Sequence, residues 1–322
     1  MKVTVVVRTY DRPDFLKEAL ISIQLQTHTD WEVLIFDDGA TDINFNIYKN
    51  FSKNNNDKRV LYLTTQKEYD MFQNSWLIAP DLSNGDVMIR LDDDDILAPD
   101  SLQFISTLYT KNPELDFSYG SAVIFDEKNT LTKIVQTQHP YEAGRTTNEW
   151  SAYTIPNNHP WTTPWSWSND FYSTPHDWTS LIHCAKSNIL CIYHPYIMRT
   201  ASVKKVKDKI TMTSKYIDDL EFFGSLDYCG LRHSSIKRIL SFVREHTAGR
   251  ITDNGRVVDG TNIWQENFRI RDKVDELRPS GFRSQVIEIL DCDTNFNEGI
   301  TDSLQNEFIA YKSLIQSLVV TH

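Results

Sequence analysis

The stretch "KVTVVVRTYDRPDFLKEALISIQLQTHTDWEVLIFDD", from Lys2 to Asp38, decides the fold of this chain. Its first residues, Lys2–Val7, are mostly β-branched and apolar, which is typical of a buried strand in a parallel sheet. A helical pattern follows, with Pro13 where a helix accepts proline in its first turn. Trp31–Asp38 again has the pattern of a buried strand. A strand, a helix and a strand in this order predict a parallel sheet with right-handed crossovers.

The alternation continues along the chain, and it predicts an α/β fold with a mostly parallel sheet flanked by helices. Further strands are predicted at Arg59–Thr65, Asp86–Leu91 and Asp116–Asp126, and further helices at Asp42–Asn54 and Ser101–Tyr109. After Asn262 the pattern is mainly helical, notably over Phe282–Leu290 and Ser303–Val320. This C-terminal helical extension is predicted to pack on the domain or to form a homodimer.

Composition limits the class of protein. The chain has 322 residues, of which 40% are hydrophobic and 24% charged, as expected for one enlarged globular domain. It contains no apolar run of 18 residues and no signal-peptide pattern, so we expect a cytoplasmic protein without a membrane span. The four cysteines lack metal-ligand spacing and are expected to be free thiols: Cys184, Cys191, Cys229 and Cys292. A net charge of −11 does not favour a polyanionic partner unless basic residues cluster locally.

Polar and charged residues follow three of the predicted strands. They occupy Arg8–Arg12, Asp37–Asp42 and the run of four aspartates Asp92–Asp95. In open α/β sheets, ligands bind beyond the carboxyl ends of the strands, so these segments are predicted to share one site. Clustered carboxylates after a strand are typical of a site for Mg²⁺ or Mn²⁺, usually shared with a phosphate.

These same segments resemble a known family. The combination "VVVRTYDRPDFLKEALISIQLQT", "WEVLIFDDGATD" and "NGDVMIRLDDDDILAPDSL" is similar to the nucleotide-sugar half of family 2 glycosyltransferases of the GT-A fold. The match covers roughly the first 110 residues and is specific in its combination of motifs. The resemblance implies an inverting, metal-dependent enzyme that transfers a sugar from a nucleotide-diphosphate donor to an acceptor hydroxyl.

The resemblance also implies residue roles in the first half of the chain. The nucleotide sugar would be bound by seven side chains: Thr9, Tyr10, Arg12, Asp37, Asp38, Asp92 and Asp93. UDP is the first choice of nucleotide, because a carboxylate at Asp37 or Asp38 can accept a hydrogen bond from the N3–H group of uracil. Asp94 would hold the metal, with Asp92 as a second ligand. The run is longer than the family motif, so Asp95 is an alternative to Asp94.

The second half matches the family more loosely. The segment from Ser214 to Leu226 resembles the family's acidic motif at a helix start, which places Asp219 as the base that deprotonates the acceptor. Asp218 could simply complement the helix dipole. His246 resembles the histidine that completes the metal shell. The family often has a glycine before its acidic motif, but this chain has "KDKITMTSK", which indicates a differently built acceptor loop.

Other functional classes fit less well. A nucleotidyltransferase would usually carry a glycine-rich basic loop after the first strand, and Arg8–Asp14 contains no glycine. A prenyl-diphosphate enzyme would match the aspartate run but is all-helical, which contradicts the predicted strands. A non-catalytic sugar-binding module remains as a third alternative.

The acceptor is predicted only in outline. The basic segment Arg199–Lys209 is predicted to lie beside the site. Together with Arg232–Arg238 and the tryptophan-rich segment 148–180, it could grip a nucleic acid such as phage DNA carrying hydroxymethylated cytosine. A saccharide or glycan is favoured, because it is the commoner acceptor. The predicted division is a donor half at 1–125, an acceptor half at 126–261 and the helical extension at 262–322.

Overall fold

The computed structural model describes residues 1–39, 42–55, 59–64, 70–135, 195–214, 218–246 and 300–321, with short pieces between 257 and 287. The strands in these parts are β1 Val3–Thr9, β2 Trp31–Asp37, β3 Val60–Thr64, β4 Val87–Asp92, β5 Ile96–Leu97, β6 Phe117–Phe125, β7 Leu131–Val135, β8 Tyr196–Arg199, β9 Arg232–Arg244, β10 Val257–Val258, β11 Thr261–Asn262 and β12 Gln285–Val286. The helices are α1 Pro13–Gln24, α2 Asp42–Asn55, α3 Asp70–Leu82, α4 Ser101–Lys111, α5 Thr200–Val206, α6 Asp218–Tyr228 and α7 Asp302–Thr321, with a 3₁₀ turn at Lys207–Lys209.

One large sheet organises the described part of the chain. Its order is β12-β9-β6-β8-β4-β1-β2-β3, with β5 added to β9 and β7 added to β6. The block β4-β1-β2-β3 is parallel throughout, as predicted from the alternation of strands and helices. The short strand β8 is antiparallel to both of its neighbours, β4 and β6. The predicted mixed α/β fold with a mostly parallel sheet is therefore confirmed.

Local sequence explains the elements around the central strands. Every residue of β1 and β2 is buried, in agreement with their continuous apolar character. Proline stands at the start of α1, where its missing N–H group costs nothing. The apolar side of α1, including Leu16 and Leu20, packs on the sheet together with Ile105 of α4.

Two of the described elements differ from the sequence pattern. Gln285 and Val286 form β12 beside the start of β9, although a helix is predicted over Phe282–Leu290. Pairing with an available sheet edge outweighs the weak helical pattern there, because Val286 and Ile287 are β-branched. Conversely, α3 is a helix for which the sequence pattern made no prediction, and it contains Pro80 close to its end.

The C-terminal helix α7 packs against its own chain. Its buried residues Phe308 and Ile315 join a cluster with Phe125 of β6 and Phe242 of β9. The predicted packing role therefore matches what the structure shows, while the homodimer stays a prediction. Among the described residues, no helix has the length and apolar character required to cross a bilayer. Cys229 is a free, half-buried thiol, and the other three cysteines lie outside the described residues.

Candidate active site

The three polar segments predicted to meet do meet at the carboxyl edge of the sheet. Strand register places Thr9 beside Asp37, and Arg8 beside Asp92. The Thr9 hydroxyl donates a hydrogen bond of 2.8 Å to Asp93, and the backbone N–H of Tyr10 donates to the same carboxylate at 3.3 Å. The ends of β1, β2 and β4 therefore form one polar surface.

A tight turn after β1 brings a cation to this surface. Asp11 has a φ of 47°, a left-handed conformation that short polar residues tolerate better than most. The turn leads Arg12, just before α1, back to the aspartate run. Its guanidinium lies 2.5 Å from Asp93 and also contacts Asp94. Arg12 therefore offsets part of the repulsion among adjacent carboxylates.

Asp94 and His246, two of the predicted metal ligands, contact each other. His246 Nε2 lies 3.1 Å from Asp94 Oδ2, although the residues are 152 positions apart. Antiparallel pairing of β5 with β9, with Ile96 opposite Phe242, brings the end of β9 to the aspartate run. Burial alone would raise the pKa of Asp94, but the hydrogen bond from His246 and the charge of Arg12 outweigh it and lower this pKa.

The other two members of the run on this side are deeply buried. Burial raises the pKa of Asp93 to about 7, despite the neighbouring charge of Arg12. Burial also raises the pKa of Asp95 well above its ordinary value, and its carboxylate accepts a hydrogen bond of 3.2 Å from the backbone N–H of Arg244. Asp93 and Asp95 therefore hold the loop in place, while the side chain of Asp94 is 17% exposed.

Asp92 points into a different cluster. Its Oδ1 lies 3.1 Å from Arg90 and 3.5 Å from Arg8, two arginines almost wholly buried in the central strands. Among the described residues, no group of three or more histidine, cysteine, aspartate or glutamate side chains is arranged to hold an ion. Of the three predicted ligands, the structure thus brings Asp94 and His246 together and turns Asp92 toward the arginines.

Asp218 is more than the helix-dipole partner considered from the sequence. Its Oδ2 accepts hydrogen bonds of 2.5 Å from Arg8 and 2.6 Å from the indole N–H of Trp76, and Arg90 lies 3.4 Å away. Burial lowers the pKa of Arg90 by itself, but the carboxylates of Asp92 and Asp218 outweigh it and raise this pKa. Asp218 therefore ties the start of α6 to the central strands.

Asp219, the predicted base, lies beside this cluster and keeps a half-buried side chain. Its Oδ2 accepts a 2.5 Å hydrogen bond from the hydroxyl group of Tyr196, which is itself buried at the start of β8. Because β8 pairs with β4, with Tyr196 opposite Arg90, the base candidate stands at the same edge as the aspartate run. Of the pair, the buried Asp218 is held by cations, whereas Asp219 keeps access to solvent.

Asp37, one of the two aspartates predicted to bind the nucleotide base, already accepts hydrogen bonds from the protein. Asp37 is fully buried and accepts hydrogen bonds from the backbone N–H of Gly39 at 3.0 Å, from Asn44 at 3.0 Å and from Tyr62 at 2.5 Å. A side chain at Gly39 would meet the ring of Tyr10 at 3.0 Å, so the glycine lets that ring lie against the turn. Tyr10 and Gly39 thus lie against each other beyond the ends of β1 and β2.

The basic segment Arg199–Lys209, predicted to lie beside the site, begins at the opposite end of the strands, where β4 starts. Because β8 runs antiparallel to β4, Arg199 pairs with Val87 at the amino end of that strand. Arg199 donates to the backbone carbonyls of Tyr109, Asn112 and Leu115. The prediction that this segment adjoins the site is therefore wrong. The tryptophan-rich segment lies outside the described residues.

Arg90, Trp76 and Tyr196 were not found from the sequence, and Arg8 was placed at the site only as part of Arg8–Arg12, without a role of its own. The arginines did leave a signal, because each interrupts an otherwise apolar strand, and a buried cation requires an anionic partner. The identity of that partner is not visible in the sequence, since Asp218 is 210 positions from Arg8 and 128 from Arg90.

Comparisons with known proteins find similar glycosyltransferases. An uncharacterised glycosyltransferase of Nostoc is 27% identical over 141 residues, which cover 44% of this chain and 42% of the relative. The GalNAc(5)-diNAcBac-PP-undecaprenol beta-1,3-glucosyltransferase of Campylobacter jejuni is 31% identical over 129 residues, or 40% of each chain. The chain thus matches less than half the length of these curated relatives.

Solved structures and family models complete the comparison. Residues 1–349 of TarS from S. aureus, crystallised with UDP-GlcNAc, align with a TM-score of 0.55 and 15% identity over 97% of this chain and 72% of that one. This likeness shows the GT-A fold. The model of glycosyl transferase family 2 matches residues 4–164, half of the chain. With the fold and the acidic site at the carboxyl edge of its sheet, this match shows that the chain belongs to glycosyl transferase family 2.

Proposed function

We propose that this protein is a metal-dependent, inverting glycosyltransferase that uses a UDP-sugar and transfers the sugar to a hydroxyl group of a saccharide or glycan. The observation that carries the proposal is the pairing of Asp94 with His246 at the same sheet edge as Asp219. The membership in family 2 favours glycosyl transfer over the nucleotidyl transfer considered from the sequence.

The donor set fits a divalent cation. His246 Nε2 and Asp94 Oδ2 are 3.1 Å apart, so one divalent cation could be held by both. Nδ1 of His246 is buried and makes no hydrogen bond to the described residues. No partner of Nδ1 therefore fixes which of the two ring nitrogens carries the proton, and Nε2 can be the unprotonated one. A mixed oxygen and nitrogen donor set favours Mn²⁺ over Mg²⁺.

Arg12 would change its role when an ion binds. Its guanidinium and the imidazole of His246 contact the same oxygen of Asp94. An ion on that oxygen competes with Arg12, and a displaced guanidinium at this edge is free to bind a phosphate oxygen. The predicted nucleotide role of Arg12 is thus compatible with its present contact to the aspartates.

The reaction uses two positions at the carboxyl edge of the sheet, namely Asp219 and the proposed metal site. The carboxylate of Asp219 accepts the proton of the acceptor hydroxyl, and the oxygen attacks the anomeric carbon from the face opposite the diphosphate. The bond between that carbon and the diphosphate oxygen breaks, and its electron pair leaves with UDP. A divalent ion, when bound, supplies Lewis-acid stabilisation of the leaving diphosphate. Tyr196 holds Asp219 in place for the proton transfer.

The nature of the nucleotide rests on the pocket between β1 and β2. Asp38 is the carboxylate there that we assign to the base or ribose, because the carboxylate of Asp37 is surrounded by three protein donors. The structurally similar TarS fragment was crystallised with UDP and with UDP-GlcNAc, which supports UDP as the first nucleotide to test. The basic segment Arg199–Lys209 no longer supports a DNA acceptor, since it begins at the amino end of β4, away from the site.

The test is a thermal-shift experiment with UDP, with and without Mn²⁺. A ligand that binds only the folded protein raises its melting temperature by mass action. We expect UDP to raise it much more with Mn²⁺ than with EDTA, and Asp94→Ala to remove the metal-dependent part. Equal shifts in the two conditions would contradict the metal role, and a product that keeps the donor's anomeric configuration would contradict inversion.

A further inference from the structure

The C-terminal helix α7 carries a buried lysine. Lys312 is 2% exposed, on a helix face that otherwise buries apolar residues such as Phe308 and Ile315. A buried ammonium group requires an anionic partner, and here it contacts the carboxylate of Glu18 on α1. The ammonium also lies 5.8 Å from the centre of the Phe125 ring.

Glu18 also contacts the last residue of β9, Arg244. The oxygen of Glu18 that contacts Lys312 also contacts the guanidinium of Arg244, although the three residues belong to three separate elements. The guanidinium of Arg244 lies over the rings of Phe15, at 4.5 Å, and Phe125, at 4.6 Å. Glu18 therefore fixes Arg244 in one orientation, with Lys312 on its other side.

Arg244 in turn is connected to both members of the candidate metal pair, Asp94 and His246. Its Nε donates a hydrogen bond of 3.1 Å to the backbone carbonyl of Asp94, and its backbone N–H donates to Asp95. It precedes His246 by two residues, and the ring of His246 packs edge-on against Phe15 at 5.0 Å. One guanidinium thus sets the position of the aspartate loop relative to the histidine.

A second set of polar contacts fixes α7 at the same place. The hydroxyl of Tyr311 donates to the carbonyl of Leu97 at 3.1 Å, two residues beyond the aspartate run. The side chain of Gln305 accepts from the backbone N–H of Leu131 at 2.7 Å and donates to the carbonyl of Asn129 at 3.0 Å. These contacts define both the rotation and the translation of α7 relative to the sheet.

Packing alone does not explain a buried lysine at this position. Replacing a buried ion pair with apolar residues of similar size is often neutral for stability, so an apolar side chain would serve a purely structural helix. A charge that is retained in the core specifies one arrangement of its partners. Here the partners are Glu18 and Arg244, and the arrangement reaches the aspartate run.

We propose that Lys312 is a positioning residue, through which the C-terminal helix holds Asp94 and His246 in the geometry that binds a divalent cation. The inference rests on the proposed metal role of these two residues. It assigns a function to the extension, which the sequence left as a packing element. Removing a group that orients a metal ligand typically weakens metal affinity by about 10- to 100-fold.

The experiment measures Mn²⁺ affinity directly, by electron paramagnetic resonance titration of the full chain with saturating UDP and no acceptor. Lys312→Met keeps most of the length of the unbranched side chain and removes its charge, and we expect Mn²⁺ binding to weaken by about tenfold. Glu18→Gln should weaken it similarly, and the double variant should be little worse than either single one, because both act through Arg244.

Ile315→Ala is the matched control, since Ile315 is fully buried on the same helix and belongs to the apolar cluster. It should lower the melting temperature and leave the Mn²⁺ affinity of the folded protein unchanged. Wild-type affinity in Lys312→Met, or an equal loss in Ile315→Ala, would overturn the positioning role. A wild-type protein that binds no Mn²⁺ would instead refute the metal part of the proposed function, and this inference with it.

Discussion

Two acidic groups meet at the carboxyl edge of the sheet, and they are built differently. The run Asp92–Asp95 is held mainly from the side of α1 and β9, by Arg12, His246 and Arg244. The pair at the start of α6 is held from within the sheet, where Asp218 contacts Arg8 and Arg90. Asp92 joins the two groups, because the same two arginines contact it.

In both groups, carboxylates adjacent in sequence have separate roles. Asp93 and Asp218 are buried and paired with arginine, while their neighbours Asp94 and Asp219 are more exposed and contact a histidine and a tyrosine, Asp94 in addition to Arg12. Under the proposed function, the buried carboxylates stabilise the edge and their more exposed neighbours act in metal binding and proton transfer. Substitutions within each pair therefore test this division.

The largest effect is expected at Asp219. Asp219→Asn is nearly isosteric and keeps an oxygen that can accept from Tyr196, but it cannot take a proton from the acceptor. We expect transfer to fall by about 10² to 10⁴, the contribution typical of a general base, with little change in UDP affinity or melting temperature. Near-normal turnover at saturating donor would remove Asp219 from the mechanism and erase the contrast with Asp218.

A large effect of the opposite kind is expected at Asp218. Asp218→Asn leaves the buried guanidinium groups of Arg8 and Arg90 with less compensation, and breaking a buried ion pair from one side costs about 3 kcal/mol or more. The free energy of unfolding in urea should therefore fall by about that amount. Unchanged stability, together with a loss of transfer as deep as in Asp219→Asn, would reverse the roles within this pair.

The third acidic pair, Asp37 and Asp38, differs from the other two because both residues are buried, and a smaller effect is expected there. Asp38→Ala should weaken UDP binding by about 1 to 3 kcal/mol, the value of a hydrogen bond to a charged group. Asp37→Ala leaves Asn44 and Tyr62 without their shared acceptor, so it should chiefly lower the melting temperature. Calorimetry with UDP and thermal denaturation separate the two outcomes, and equal losses of affinity in both stable variants would contradict the division.

The smallest effect is expected at the turn that carries Arg12 to Asp93 and Asp94. Asp11 is exposed and left-handed, so Asp11→Val should cost about 1 to 2 kcal/mol of stability, because a β-branched side chain disfavours that conformation. Asp11→Gly removes this restriction and serves as the control, with a stability within about 1 kcal/mol of the wild type. Tolerance of valine, measured in urea, would show that the turn is not under this constraint.

Sequence alone determined strands β1 to β4 and helices α1 and α2, because apolar periodicity and the proline of α1 are local properties of the chain, but it did not predict α3 between β3 and β4. It also determined that acidic and polar residues would follow β1, β2 and β4, and the combination of these segments resembles family 2. The helix predicted over Phe282–Leu290 failed because the edge of a sheet, a distant feature, decided the conformation of Gln285 and Val286.

Tertiary structure alone decided which charges meet. Lys312 contacts Glu18 across 294 positions of sequence, and Arg8 contacts Asp218 across 210. No local pattern encodes such pairs, because they depend on the strand order and on the direction of β8. Because β8 is antiparallel to β4, the basic segment begins at the amino end of β4, away from the site. The same direction of β8 brings Tyr196 to Asp219. Local chemistry supplied the charged groups, and the long-range packing of the sheet assigned their partners.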